Sequence, residues 1–233
     1  MIKFENVVKK YPNGAVAVNN INFTVNDGEV LFIHGKTDSG KTTIRKLMLL
    51  EEKLSSGNIY FDDIPISSIR EKHIYRHRRK LGVIFRESRL FVNKTLQDNF
   101  AFVLRALDCP EREISKRIDA LLKLVELEDA RKKYPDMLTP AERQRAEIAR
   151  AMASNPKVVM ADEPTASLDG ASGLEIISLL MKINARGKTV IIFTKEEELA
   201  KQFGKRMITL DFGEIVSDTP AAGEEVAEII LPE

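Results

Sequence analysis

The sequence predicts an α/β fold with a mostly parallel core sheet, an N-terminal antiparallel β subdomain and a helical insertion. Three patterns carry that expectation. Apolar residues alternate with polar ones at Ile2 and Phe4 and again at Ile21, Phe23 and Val25, marking half-buried strands. The unbroken runs Val30-Leu31-Phe32-Ile33 and Val190-Ile191-Ile192-Phe193 mark strands covered on both faces, as in a parallel sheet. From about Phe91 to Ser154 the residues favour helix, while the flanking segments alternate strand and helix.

In chain order, Tyr11-Pro12-Asn13-Gly14 reads as a turn between the first strands, and Asn26-Asp27-Gly28 as a second turn before the run at Val30. A helix follows from Lys41 to Leu50. Ser55-Ser56-Gly57 then breaks the chain ahead of a short strand over Asn58–Phe61. The basic stretch Arg70 to Lys80 reads as a solvated helix face. His73 and His77 within it lie one helical turn apart, but no third ligand stands in the local pattern, so a metal is not expected there. Glu111 to Leu127 is an amphipathic helix with Ile114, Ile118, Leu121, Leu122 and Val125 on one stripe. After the insertion come a strand (Lys157 to Ala161), a helix (Leu174 to Ala185, stopped by Gly187), a strand (Thr189 to Thr194) and a terminal strand pair around Asp211-Phe212-Gly213.

The 233 residues suit one elaborate domain. We expect it over residues 1–218, with a helical subdomain over about 87–154. An acidic tail over 219–233 carries Glu224, Glu225, Glu228 and Glu233 and no Lys or Arg. The 36 Lys plus Arg and 35 Asp plus Glu leave a formal charge of +1, which argues against a protein whose main work is wrapping nucleic acid. The longest apolar runs fall far short of the roughly 20 residues of a membrane helix, and the N-terminus lacks the apolar core of a secretory signal. A cytoplasmic location is expected. Cys109 is the sole cysteine, which excludes an internal disulfide and disfavours a cysteine-based zinc site.

The segment Gly35-Lys36-Thr37-Asp38-Ser39-Gly40-Lys41-Thr42 fits the GxxxxGK[ST] phosphate loop (Walker A), and it stands where the mechanism needs it, between a strand and a helix. Glycines let successive N–H groups turn inward onto phosphate oxygens, and the helix N-terminus adds positive partial charge. Lys41 should reach the β- and γ-phosphates of ATP, and the Thr42 hydroxyl should bind Mg²⁺; Thr43 completes the nucleotide-binding stretch. A buried strand ending in carboxylates supplies the second half: Val158-Val159-Met160-Ala161-Asp162-Glu163. Asp162 would hold the Mg²⁺ shell, and Glu163 would act as general base on the attacking water.

With Walker A at Gly35, the run Ala161-Asp162-Glu163-Pro164-Thr165, the following Ser167-Leu168-Asp169 and the helical insertion ahead of them, the chain resembles the ATP-binding subunits of ABC transporters over about Met1 to Val216. Within that family, Ile2-Lys3-Phe4-Glu5-Asn6-Val7 with Lys10-Tyr11, Lys94-Thr95-Leu96-Gln97-Asp98-Asn99 and Lys205-Arg206-Met207-Ile208-Thr209-Leu210 are most similar to the bacterial cell-division type, FtsE. Lipoprotein-release and macrolide-export ATPases are near relatives. The resemblance implies an ATPase (ATP + water to ADP + phosphate), a homodimer in the ATP-bound state and adenine stacking on Tyr11. It further implies attachment at the inner face of the cell membrane to an integral-membrane FtsX-like or permease subunit. The partner's coupling helix would dock near Arg86 to Phe91, and the output would be control of cell-wall hydrolysis rather than solute movement.

Four places depart from the family pattern. The signature LSGGQ or LSGGE, which meets the partner chain's ATP in trans, reads Leu138-Thr139-Pro140-Ala141-Glu142. Thr139 as N-cap, Pro140 at N1 and Glu142 at N3 make a capping box, but Pro140 has no N–H for a phosphate and Ala141 adds a methyl. The Gln that touches Mg²⁺ and the attacking water is Arg86, and the switch His is Lys195. Asp38 stands where the family usually has Gly. Retained ATP binding with weak hydrolysis is the expectation; an export or lipoprotein-release ATPase and a non-hydrolysing ATP-gated adaptor are its alternatives.

Overall fold

The computed structural model describes residues 1–223. In chain order the elements are β1 (Ile2–Lys10), β2 (Val16–Val25), β3 (Val30–Gly35), α1 (Lys41–Met48), β4 (Ser56–Phe61), β5 (Ile64–Pro65), α2 (Ile74–Arg78), β6 (Leu81–Ile84), α3 (Leu96–Ala106), α4 (Glu111–Leu124), α5 (Pro140–Met152), β7 (Val158–Asp162), α6 (Gly170–Asn184), β8 (Thr189–Thr194), α7 (Glu197–Gln202), β9 (Arg206–Asp211) and β10 (Glu214–Thr219). They fall into two compact units. One comprises Met1–Val25, Val30–Ser68 and the chain from Phe193 on; the other comprises Asn26–Glu29 and Ile69–Ile192. Of the acidic tail expected over 219–233, residues 224–233 lie outside the described residues.

In the first unit β2, β1, β4 and β5 form an antiparallel sheet in that order. Its register pairs Ile2 with Val25 and Phe4 with Phe23, so the alternating apolar residues of both strands share one face. Phe4 and Phe23 stack with ring centroids 4.2 Å apart, a pair worth about 0.5–1.5 kcal/mol beyond its buried area. Asn6 and Asn20 take positive φ where β1 and β2 lose register, a conformation that short polar side chains tolerate. The same unit holds β3 parallel to β9, which in turn runs antiparallel to β10. Val30 to Ile33 are buried, as an apolar run in a two-sided sheet requires.

In the second unit β6 and β7 are parallel, with Leu81 opposite Val158 and Ile84 opposite Ala161, and β8 lies beside β7. The helices α3, α4 and α5 pack on one another. The α4 stripe predicted from spacing is buried: Ile114, Ile118, Leu121 and Leu122, with Val125 just past the helix end. Two elements differ from expectation. The helix predicted from Leu174 starts at Gly170, because the Asp169 carboxylate accepts from the Ser172 N–H and caps it four residues earlier. The basic stretch at Arg70–Lys80 is a short 3-10 turn followed by the five-residue α2, with His77 buried rather than solvated.

Candidate nucleotide site

The strand β3 runs straight into the phosphate loop, and two glycines fix how the loop closes. A Cβ on Gly35 would lie 2.3 Å from Ser39 Oγ and 2.6 Å from the Leu210 carbonyl oxygen, so nothing larger fits where the loop folds onto itself. Gly40 has φ +106°, and a Cβ there would meet the Ala17 carbonyl oxygen at 2.6 Å. Asp38 sits at φ +62°, the left-handed conformation that makes an aspartate tolerable at a position the family usually gives to glycine. The loop is braced from β9–β10: the Gly213 N–H donates to the Ser39 carbonyl at 3.2 Å.

Lys41, 7% exposed, folds its ammonium back into this loop. It donates to the carbonyls of Gly35 and of Lys36 (2.8 Å) and lies 3.4 Å from Ser39 Oγ. Helix α1 begins at Gly40 with no side-chain cap and no acidic residue in its first turn. The first N–H groups of a helix have no partners within the helix itself, and the macrodipole favours an anion there. Lys36, Thr37, Asp38 and Thr42 are exposed, Ser39 and Thr43 buried. This donor set fits a nucleotide phosphate chain. Tyr11 is half-buried at the end of β1, its hydroxyl 3.5 Å from Thr43 Oγ1 and its ring under the Lys9 ammonium at 4.9 Å.

Lys195 follows β8 in the same unit and is exposed. His34, the residue before Gly35, donates from Nε2 to the Lys195 carbonyl at 3.2 Å. His34 is not among the residues the sequence points to; a histidine directly after a buried apolar run is the signal it offers.

In the second unit the parallel register places two further site residues at one edge. Ile84 pairs with Ala161, so Arg86 and Glu163 each stand two positions beyond that pair, at the C-terminal ends of adjacent strands. Such strand ends are where open α/β sheets bind ligands. Arg86 is exposed and has no hydrogen-bond or ion-pair partner among the described residues. Asp162 is half-buried; Glu163 is buried, at φ +48°, in a turn closed by the Ala166 N–H on the Glu163 carbonyl. A non-glycine residue held at positive φ is the kind of local strain that clusters at functional sites.

The signature position is a closed helix start. Thr139 Oγ1 accepts from the Glu142 N–H at 3.2 Å, and Glu142 Oε2 accepts from the Thr139 N–H at 2.8 Å, the full capping box. These contacts, the Thr139 N–H first, hold the Glu142 carboxyl below its ordinary pKa. Two donors that could face a phosphate are consumed, and Pro140 has none to offer.

Residues 18–166 match the family described as ABC transporter, and the chain belongs to it. Among its relatives is the cell division ATP-binding protein FtsE of Bacillus subtilis, 38% identical over 218 residues that cover 94% of this chain and 96% of that one. The methionine import ATP-binding protein MetN 1 of Pectobacterium atrosepticum is 36% identical over 94% of this chain but only 66% of its own length. Two solved cassettes share the fold. The dimeric, post-hydrolysis MJ0796 cassette bound to ADP and phosphate superposes with a TM-score of 0.86 at 33% identity, covering 96% and 100% of the two chains. CbiO1 of Clostridium perfringens, part of the cbiONQ transporter complex, gives 0.88 at 30% identity over 93% and 87%. The chain is thus an ABC-type ATP-binding subunit, with no helix among its described residues long and apolar enough to cross a membrane.

Proposed function

We propose that this chain is the ATP-binding subunit of an FtsE-like complex that couples ATP binding, with slow hydrolysis, to an integral-membrane FtsX-like partner in cell division, as a homodimer when ATP is bound. The observation that carries the slow-hydrolysis half is the contrast between an open, glycine-capped α1 and a signature position shut by its own capping box. The FtsE assignment is supported by 38% identity along nearly the whole of both chains.

In this reading the Lys41 ammonium leaves its loop carbonyls for the nucleotide's terminal phosphates, and Tyr11 stacks on the adenine. Among the described residues no group of three or more His, Cys, Asp or Glu side chains is placed to hold a metal alone. Mg²⁺ would therefore enter with the phosphates, with Thr42 and Asp162 contributing, and would neutralise the charge that develops during transfer. Glu163 takes the proton of the attacking water. Arg86 and Lys195 stand in for the neutral groups that usually orient that water. Losing one such donor costs on the order of 10²–10³ in rate, and several losses combine less than multiplicatively.

The segment after Arg86 suits a docking role beneath a membrane protein. Phe91, Val92 and Phe102 are exposed, and the Phe91 and Phe102 rings meet edge to face at 4.9 Å. Co-purification from membranes with and without ATP tests the assignment. Recovery of an FtsX-like protein that depends on ATP and on Phe91 supports it; recovery of an importer, export or lipoprotein-release permease would replace it.

A further inference from the structure

Glu147 lies in the middle of α5 and is fully buried. A carboxylate in such a place is costly unless both oxygens are satisfied, and here they are. Oε1 accepts from Ser88 Oγ at 2.8 Å and from the Arg89 backbone N–H. Oε2 accepts from Arg150 Nε at 3.0 Å and from a second guanidinium nitrogen at 2.5 Å, one turn further along the helix. One buried side chain thus ties the segment after Arg86 to the interior of α5.

The tie is reinforced two residues on. Asn99 of α3, also fully buried, accepts from the Phe91 N–H at 2.7 Å and donates to the Phe91, Lys94 and Thr95 carbonyls at 3.0–3.2 Å. The segment from Ser88 to Phe91 is therefore held from two helices although Ser88, Arg89 and Phe91 are exposed. Glu147 stands seven residues after Pro140, two helical turns on and on the same stripe as the start of α5. A charged, fully satisfied network thus joins Arg89 to the helix that starts at the signature position.

We propose that Glu147 is a positioning residue that makes the Arg86-bearing segment and α5 move as one body, so that events at the docking segment reach the Thr139–Glu142 helix start. This rests on the proposed reading of residues 86–91 as the docking segment and of α5 as the ATP-facing helix. A side chain at 147 too short to reach Ser88 and Arg89 leaves both elements folded but uncoupled.

Hydrogen exchange on the full chain tests it in two arms. Without nucleotide, Glu147→Ala should speed exchange of the amides at 88–90 by about tenfold, while β6 and β7 amides keep wild-type protection. Glu147→Gln, which retains an acceptor for the Arg89 N–H, should keep most of that protection. If Glu147→Ala does not fold, Ser88→Ala replaces it, with an expected gain of about threefold at 88–90. With ATP and Mg²⁺, exchange at 88–90 and in the first turn of α5 should change together in the wild type and separately in the variant. Unchanged exchange at 88–90 in Glu147→Ala, equal loss throughout α5 and β7, or a joint ATP response that survives the substitution would overturn the proposal. Absence of any ATP binding by the wild type would instead sink the nucleotide reading, while the first arm still reports on the tie.

Discussion

Two helix starts in this chain meet the same physical problem and solve it in opposite ways. At α1 the leading N–H groups have a glycine ahead of them, no side-chain cap, and a lysine folded beneath. At α5 a threonine and a glutamate satisfy each other's backbone donors, and a proline removes one more. Every helix start has donors without partners in the helix; whether a protein fills them with its own side chains or leaves them for a ligand decides if that start is a binding site. The first end is unstable by itself and fit for phosphate. The second is stable by itself and unfit. On the function proposed above, phosphate recognition is retained where this chain's own ATP would sit and given up where it would meet the ATP of a second copy.

The largest change that breaks this contrast is Lys41→Ala. Two charge-assisted hydrogen bonds are withdrawn from the nucleotide, and affinity in a titration should fall on the order of 10²-fold. Gly40→Ala puts a methyl against the Ala17 carbonyl at φ +106° and should cost about 2 kcal/mol of stability in denaturant unfolding, with nucleotide binding lost in parallel. Opening the second end with Pro140→Gly and Ala141→Gly together should raise steady-state ATP turnover by about tenfold. Thr139→Ala should cost about 1 kcal/mol and leave ATP affinity unchanged, because the cap serves α5 and not the phosphate loop.

The smallest effect is one of pH. Glu142 titrates below its unfolded value of 4.5, so its contribution is fully present above about pH 4.5 and fades as pH falls through the depressed folded value. Exchange of the Glu142 amide should quicken over that acid range, while the start of α1, which has no carboxylate in its first turn, stays indifferent.

Much of this was legible from residue order. Gly35 to Thr42 and Val158 to Glu163 announce themselves because their chemistry is local: a turn, a strand and a helix start lie within a few residues of one another. The capping box at Thr139 was legible for the same reason. Asp169 enters through the family resemblance, whereas its work as the α6 cap shows only in the structure, four residues ahead of the helix expected from Leu174. Glu147, Asn99 and His34 were not legible. Their partners Ser88, Phe91 and Lys195 lie 59, 8 and 161 residues away along the chain, and nothing in the local spacing points to them. Of the three, Glu147 carries the clearest signal, a charge with Ala146, Ile148 and Ala149 around it on a helix. Pattern reading finds the residues that touch a ligand through local turns, and it misses those that hold one segment against another.

The central claim is tested most directly by ATP turnover of the purified chain at saturating ATP and Mg²⁺, measured beside nucleotide affinity and beside Glu163→Gln. Firm ATP binding is expected, with turnover at least 10²-fold below a cassette with an intact signature and the slow residual rate lower still in the variant. A fast rate that collapses in Glu163→Gln would contradict it, and would mean that Arg86, Lys195 and the capped end of α5 do the work of the groups they replace.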